Sequence, residues 1–174
     1  IKSIRVMKPF YFAATLALWG WSQFLGIQVA NGQSCLPDGI VFSTQAEIDA
    51  FPTNYPGCAE VNGDVIISGA DIINLQGLAG ISEISGLLRI QNNPVLTSLS
   101  GLDALTTVQS IEIGANPNLS NLVGLGGVSA VSRLFIGGNG SLTQLNGLNS
   151  LNSVNGWFEI NSNTSLSSLN GLNA

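Results

Sequence analysis

The chain contains no histidine, and only five of its 174 residues are basic. The first absence removes the commonest general base and the commonest metal ligand. The second argues against nucleic acid as a partner, because counterion release from a phosphate backbone needs lysine and arginine in number. Three of the five bases, Lys2, Arg5 and Lys8, stand at the extreme N-terminus. Beyond residue 32 only Arg89 and Arg133 face ten acidic residues, a formal charge of −8. D-x-D runs and Gly-Asp nonapeptides are missing, so calcium has no motif here, and no other metal or cofactor is implied.

The N-terminal bases precede an apolar run from Pro9 to Ala30, which ends in the small-residue triplet Ala30-Asn31-Gly32. A positive n-region, an h-region and an A-x-G site predict a signal peptide over residues 1–32, with Met7 as a candidate start. The run is also long enough to cross a hydrocarbon core as an uncleaved anchor, although Gln23 and Gln28 weaken it as a permanent span. In both cases the rest of the chain lies outside the cytoplasm, secreted or at the cell surface.

Two cysteines follow the leader, Cys35 and Cys58. An even count in an exported chain predicts a disulfide.

What the sequence has in abundance is a repeat. The pairs Gly77-Leu78, Gly101-Leu102, Gly124-Leu125, Gly147-Leu148 and Gly171-Leu172 recur at intervals of 24, 23, 23 and 24 residues. Upstream of each lies an L-x-I triplet: Val65-x-Ile67, Leu88-x-Ile90, Ile111-x-Ile113, Leu134-x-Ile136 and Phe158-x-Ile160. The unit reads L-x-I-x-x-N-x-x-L-x-x-L-x-G-L-x-x-L-x-x-V. Gly, Asn, Ser and Pro crowd every repeat and exclude a helical unit. The triplets have the period of a strand with alternate residues inward. One repeat cannot bury its own apolar edge, so successive repeats must stack, strands about 4.8 Å apart, into parallel sheets. The expected fold is all-β, a right-handed leucine-rich solenoid of five coils over 62–174. The pattern breaks off midway through the fifth, so further coils are expected downstream.

Asn93, Asn116, Asn139 and Asn163 hold one position of the unit. A repeated turn calls for a side chain that tolerates the left-handed region and bonds nearby backbone, which asparagine does. Asn139-Gly140-Ser141 and Asn163-Thr164-Ser165 match a glycan acceptor, but an inward residue could not carry a sugar. Asn118-Leu119-Ser120 stands outside the ladder and is the better acceptor. Ahead of the repeats, Thr44-Gln45-Ala46-Glu47 has capping-box spacing, with Ile48 and Phe51 at helical separation behind it. A short helix is predicted there, within a disulfide-bonded cap over 33–61 that covers one end of the stack.

The cysteine-bounded cap, followed by coils such as NGDVIISGADIINLQGLAGISEI and SGLLRIQNNPVLTSLSGLDALTTV, resembles the receptor L-domain family. This is the leucine-rich-like β-helix of the insulin and epidermal growth factor receptor ectodomains. The coils also resemble those of secreted bacterial surface proteins of Bacteroidetes type. The resemblance implies an extracellular ligand-binding or adhesion module, with a protein or glycan as partner and no catalysis.

If each L and I points inward, the residues between them form an outer ladder of Ile66, Arg89, Glu112, Phe135 and Glu159. One flank is Asp64, Leu87, Ser110, Arg133 and Trp157. Arg133, Phe135, Trp157 and Glu159, with Arg89 and Glu112, make a patch of arginine and aromatics of the kind binding surfaces favour. Simple cross-strand pairing for sheet stability would produce the same ladder. Two other readings stay open: a rigid spacer presenting a further domain, and a polysaccharide-active enzyme. For the latter, Glu112 and Glu159 stand two coils, about 9.6 Å, apart. Phe135 between them and the lack of a nearby Lys or His argue against it.

Overall fold

The computed structural model describes residues 33–172; the expected signal peptide, 1–32, lies outside the described residues. In chain order the elements are β1 (Gln33–Cys35), β2 (Ile40–Phe42), α1 (Gln45–Asn54), β3 (Cys58–Val61), β4 (Val65–Ile67) and β5 (Glu83–Gln91). They continue as β6 (Thr107–Gly114), β7 (Ala130–Val131), β8 (Arg133–Gly137), β9 (Ser153–Val154) and β10 (Phe158–Asn161). Every pairing between these strands is parallel and joins one repeat to the next.

The strands stand in two rows. In one, the L-x-I triplets align as β2, β4, β5, β6, β8 and β10. In the other, β1 meets β3, which meets the start of β5, with β7 and β9 as a separate pair. β5 and β6 run through both rows and turn the corner between them. Their register shifts between Ile84 and Leu87, where β5 carries one residue more than β6. That is a β-bulge, the device that bends a sheet without breaking it.

Alternation decides which residues enter the core. Val65, Ile67, Leu88, Ile90, Ile111, Ile113, Leu134 and Ile136 are all completely buried. So are the loop leucines that follow each triplet, from Leu75 to Leu148, and the whole set forms one cluster. Each such side chain contributes about 1.5–3 kcal/mol of burial. The polypeptide is thus mostly β, with parallel strands, as its periodicity predicts.

The cap holds more strand than its sequence suggests. Sequence patterning assigns only a helix between the cysteines, whereas β1 and β2 extend both rows by one layer: Ile40-Val41-Phe42 pairs with Val65-Ile66-Ile67. The helix α1 then replaces the leucine-rich loop of that layer. Its capping box closes as the spacing predicts, with Thr44 Oγ1 accepting from the Glu47 amide and Glu47 Oε2 accepting from the Thr44 amide at 3.1 Å. Gln45 anchors the helix to the first repeat, its Oε1 accepting from the amides of Ile73 and Asn74. Ile48 and Phe51 point into the core, where the Phe51 ring meets Phe42 edge-on at 5.6 Å. Pro52 leaves the Ile48 carbonyl without its helical N–H, and Gly77 packs directly on that carbonyl because it has no side chain.

Cys35 and Cys58 form the disulfide, their Cα atoms 5.7 Å apart and their strands β1 and β3 paired. It closes a loop of sequence separation 23, worth about 3 kcal/mol on the chain-entropy model. Paired Cys35→Ser and Cys58→Ser substitutions should lower unfolding free energy by about that amount. Urea titration of the double variant beside the oxidised parent checks it; coincident curves would show that the bridge is dispensable.

Candidate functional site

The outer ladder forms in the expected order, with one layer added. Val41, Ile66, Arg89, Glu112, Phe135 and Glu159 lie side by side in register, while Arg133 pairs with Ser110 two positions upstream. Strand alternation explains why all six point away from a core that takes their neighbours on both sides.

Glu112 is the centre of the charged part. Its Oε2 accepts from Arg89 Nε at 2.8 Å and its Oε1 from an Arg133 terminal nitrogen at 3.0 Å. Two guanidinium groups therefore share one carboxylate, and that carboxylate is only 17% exposed. Arg133 also lies over the Trp157 indole, 5.5 Å from its centroid, within cation–π range. Trp157 in turn stacks on Phe135, centroids 5.9 Å apart and planes within 12°. Five of the six residues singled out from sequence are thus joined in one continuous surface. The sixth, Glu159, stays outside the ion-pair network; its carboxylate accepts from the Asn161 amide instead. Glu112 and Glu159 sit on opposite sides of Phe135 in the row, each already partnered.

Beyond Phe135 the surface dips into a shallow trough of about 340 Å³, lined by Gln91, Gly114, Gly137, Asn161 and Ser162 among others. This is the downstream flank of the ladder, which sequence inspection passed over. Its signal was present: two positions after each central residue stand Gln91, Gly114, Gly137 and Asn161, small or amide side chains throughout. A Cβ on Gly137 would overlap both the Phe135 ring and the Asn161 side-chain oxygen. Glycine there lets both neighbours fold down over the backbone.

The asparagine ladder lies behind this surface. Asn93, Asn116 and Asn139 are completely buried. Asn116 Oδ1 accepts from the Asn93 main-chain amide at 3.1 Å and from its Nδ2 at 3.0 Å. Asn116 Nδ2 donates to the Ile90 carbonyl and to Asn139 Oδ1. The pattern repeats from Asn139 to Asn163, and at the other end Asn93 Oδ1 accepts from the Gly69 amide, so a residue with no side chain can start the series. One expectation is corrected: the asparagines do not take the left-handed conformation. The residue before each does, Asn92, Ala115, Gly138 and Ser162, at φ of 56°, 54°, 70° and 53°. Making the turn one residue earlier aims the asparagine side chain inward, where it reaches two layers of backbone. Of the glycan acceptor motifs, Asn118 is the exposed one.

Among the described residues no helix is long and apolar enough to cross a membrane, and no group of three or more His, Cys, Asp or Glu is placed to hold a metal.

Parallel strands stacked layer on layer over a leucine-rich interior define a mostly β protein, consistent with a receptor L domain. Residues 57–124 match the family model of the receptor L domain, and the resemblance seen in the repeats is borne out over that segment. The receptor L domain is an extracellular, ligand-binding family. Strand register continues unchanged past Gly124 through β8 and β10. No curated protein matches the chain, and no solved structure does.

Proposed function

We propose that the chain is an exported recognition or adhesion module, a closed right-handed solenoid that meets an extracellular protein or glycan with the outer face of its strands and catalyses nothing. One observation carries this: Arg89, Glu112, Arg133, Trp157 and Phe135 are locked together by ion pairs, a cation–π contact and ring stacking on rigid strands. A surface ordered before the ligand arrives loses little side-chain entropy on binding. Aromatic and arginine anchors are also the residues that dominate measured interfaces. Half of Trp157 remains open to solvent. A sheet stabilised by pairing alone would not need it there. The leader expected over residues 1–32 and the extracellular habit of the family support export.

The full chain, presented to arrays of extracellular proteins and glycans, should retain at least one ligand. Phe135→Ala combined with Trp157→Ala should weaken that ligand about tenfold or more, a loss of at least 1.4 kcal/mol. Ile73→Ser, an exposed residue away from this face, should not. A chain that binds nothing on either array is a spacer, and a ligand indifferent to the aromatic pair binds elsewhere.

A further inference from the structure

Resting on that recognition role, we propose that the trough beside Phe135 is a subsite for a neutral carbohydrate. Its volume, about 340 Å³, stands near the lower end of the range of roughly 300–1,000 Å³ for small-ligand sites. No ionisable side chain lines it. What lines it is one aromatic ring, three primary amides (Gln91, Asn92 and Asn161), the Ser162 hydroxyl and a floor of glycine backbone.

Each of these answers one part of a pyranose. An amide both donates and accepts, as a sugar hydroxyl does, so one amide can meet two adjacent hydroxyls. Asn161 gives an N–H to Glu159 and turns its side-chain oxygen toward Gly137, which leaves an acceptor over the trough floor. The face of an aromatic ring is electron-rich and attracts the weakly positive C–H edge that a sugar ring presents. Trp157 stacked behind Phe135 holds that ring in place. Glycine at 137 lets the Phe135 ring and the Asn161 side chain lie low over the backbone, which sets both at the height of a ring resting in the trough.

Charge excludes the acidic alternatives. Neither arginine of the face lines the trough; both reach toward Glu112 instead, so no cation there awaits a uronate, sulfate or phosphate. The chain beyond residue 32 carries a formal charge of −8, which further repels anions. A peptide lacks its usual handhold as well. Gly114 and Gly137 are paired on both sides, so the middle of the trough offers no free edge for an added strand.

The test titrates the full chain by isothermal calorimetry with cellobiose, maltose, mannobiose and chitobiose, and with di-galacturonate as the charged control. At least one neutral disaccharide should bind, with di-galacturonate weaker than it. Asn161→Ala, an exposed side chain whose loss should leave the fold intact, should weaken that sugar about tenfold. Gly137→Ser should abolish binding by displacing the Phe135 ring and the Asn161 side chain, with circular dichroism reporting whether the variant is folded. Absence of heat with every neutral sugar, or preference for the charged one, overturns the proposal. If a protein ligand is lost with Phe135 and Trp157 while no sugar binds or competes, the recognition face survives and the carbohydrate subsite fails. If sugar binds and Asn161→Ala changes nothing, the trough is the wrong place.

Discussion

Asn116→Ala should lower the unfolding free energy by about 3–5 kcal/mol, close to the whole stability of many domains. The side chain occupies a dry position between two layers and makes four hydrogen bonds. Its removal leaves the Ile90 carbonyl and the Asn93 amide without these partners, each costing about 1–3 kcal/mol when buried. The Asn93 and Asn139 side chains keep other bonds, so they add little. Chemical denaturation of parent and variant measures the difference; a loss below about 1 kcal/mol would mean that water replaces the ladder freely.

The Asn116→Asp variant separates hydrogen bonding from shape. Its second oxygen would face the Ile90 carbonyl and Asn139 Oδ1, where only a donor is tolerated. Burial and those acceptors raise the folded-state pKa of the introduced carboxyl above the unfolded value of about 3.9. A group with a raised folded pKa favours the folded state most when protonated. The deficit should therefore be smallest below about pH 4, and should grow as pH rises through the folded-state value. A deficit that is flat from acid to neutral pH would contradict this.

Gly124→Ala should be comparably damaging, about 3–5 kcal/mol, for an unrelated reason. Gly124 has φ of 118°, a conformation that L side chains rarely adopt. A Cβ there would also overlap the Leu99 carbonyl of the preceding layer, with the Leu99 carbonyl carbon at only 2.6 Å. Gly101, Gly147 and Gly171 repeat the arrangement at φ of 110°, 112° and 109°. Gly126, by contrast, has open space around its Cα, and Gly126→Ala should be close to neutral. Thermal melts of the two alanine variants should therefore diverge, and similar melting points would show that the layers can slide apart at no cost.

The parallel layering and its core were legible because inward positions repeat at 23 or 24 residues and tolerate only large aliphatic side chains. The capping box at Thr44 and the cystine were legible through local chemistry. The strand Ile40–Phe42 was hidden because a helix, rather than a leucine-rich loop, follows it, and the repeat template loses its match there. The stacking of Phe135 on Trp157 depends on a corner one residue longer at Val154 to Phe158 than at Val131 to Leu134, a difference that is visible in sequence but not interpretable without coordinates. The trough escaped notice because glycines in a repeat read as turn punctuation, whereas Gly114 and Gly137 lie within strands and matter for what they omit.

Alternation along the strands sends consecutive residues to opposite destinations: one to the leucine interior, the next to the surface. A layer contacts only the layers above and below it, so an outward substitution is felt by two neighbours at most. The exposed column can then be substituted letter by letter, at small and local cost, over an unchanged frame of asparagines, glycines and leucines. Such a chain can take on a new surface without taking on a new fold.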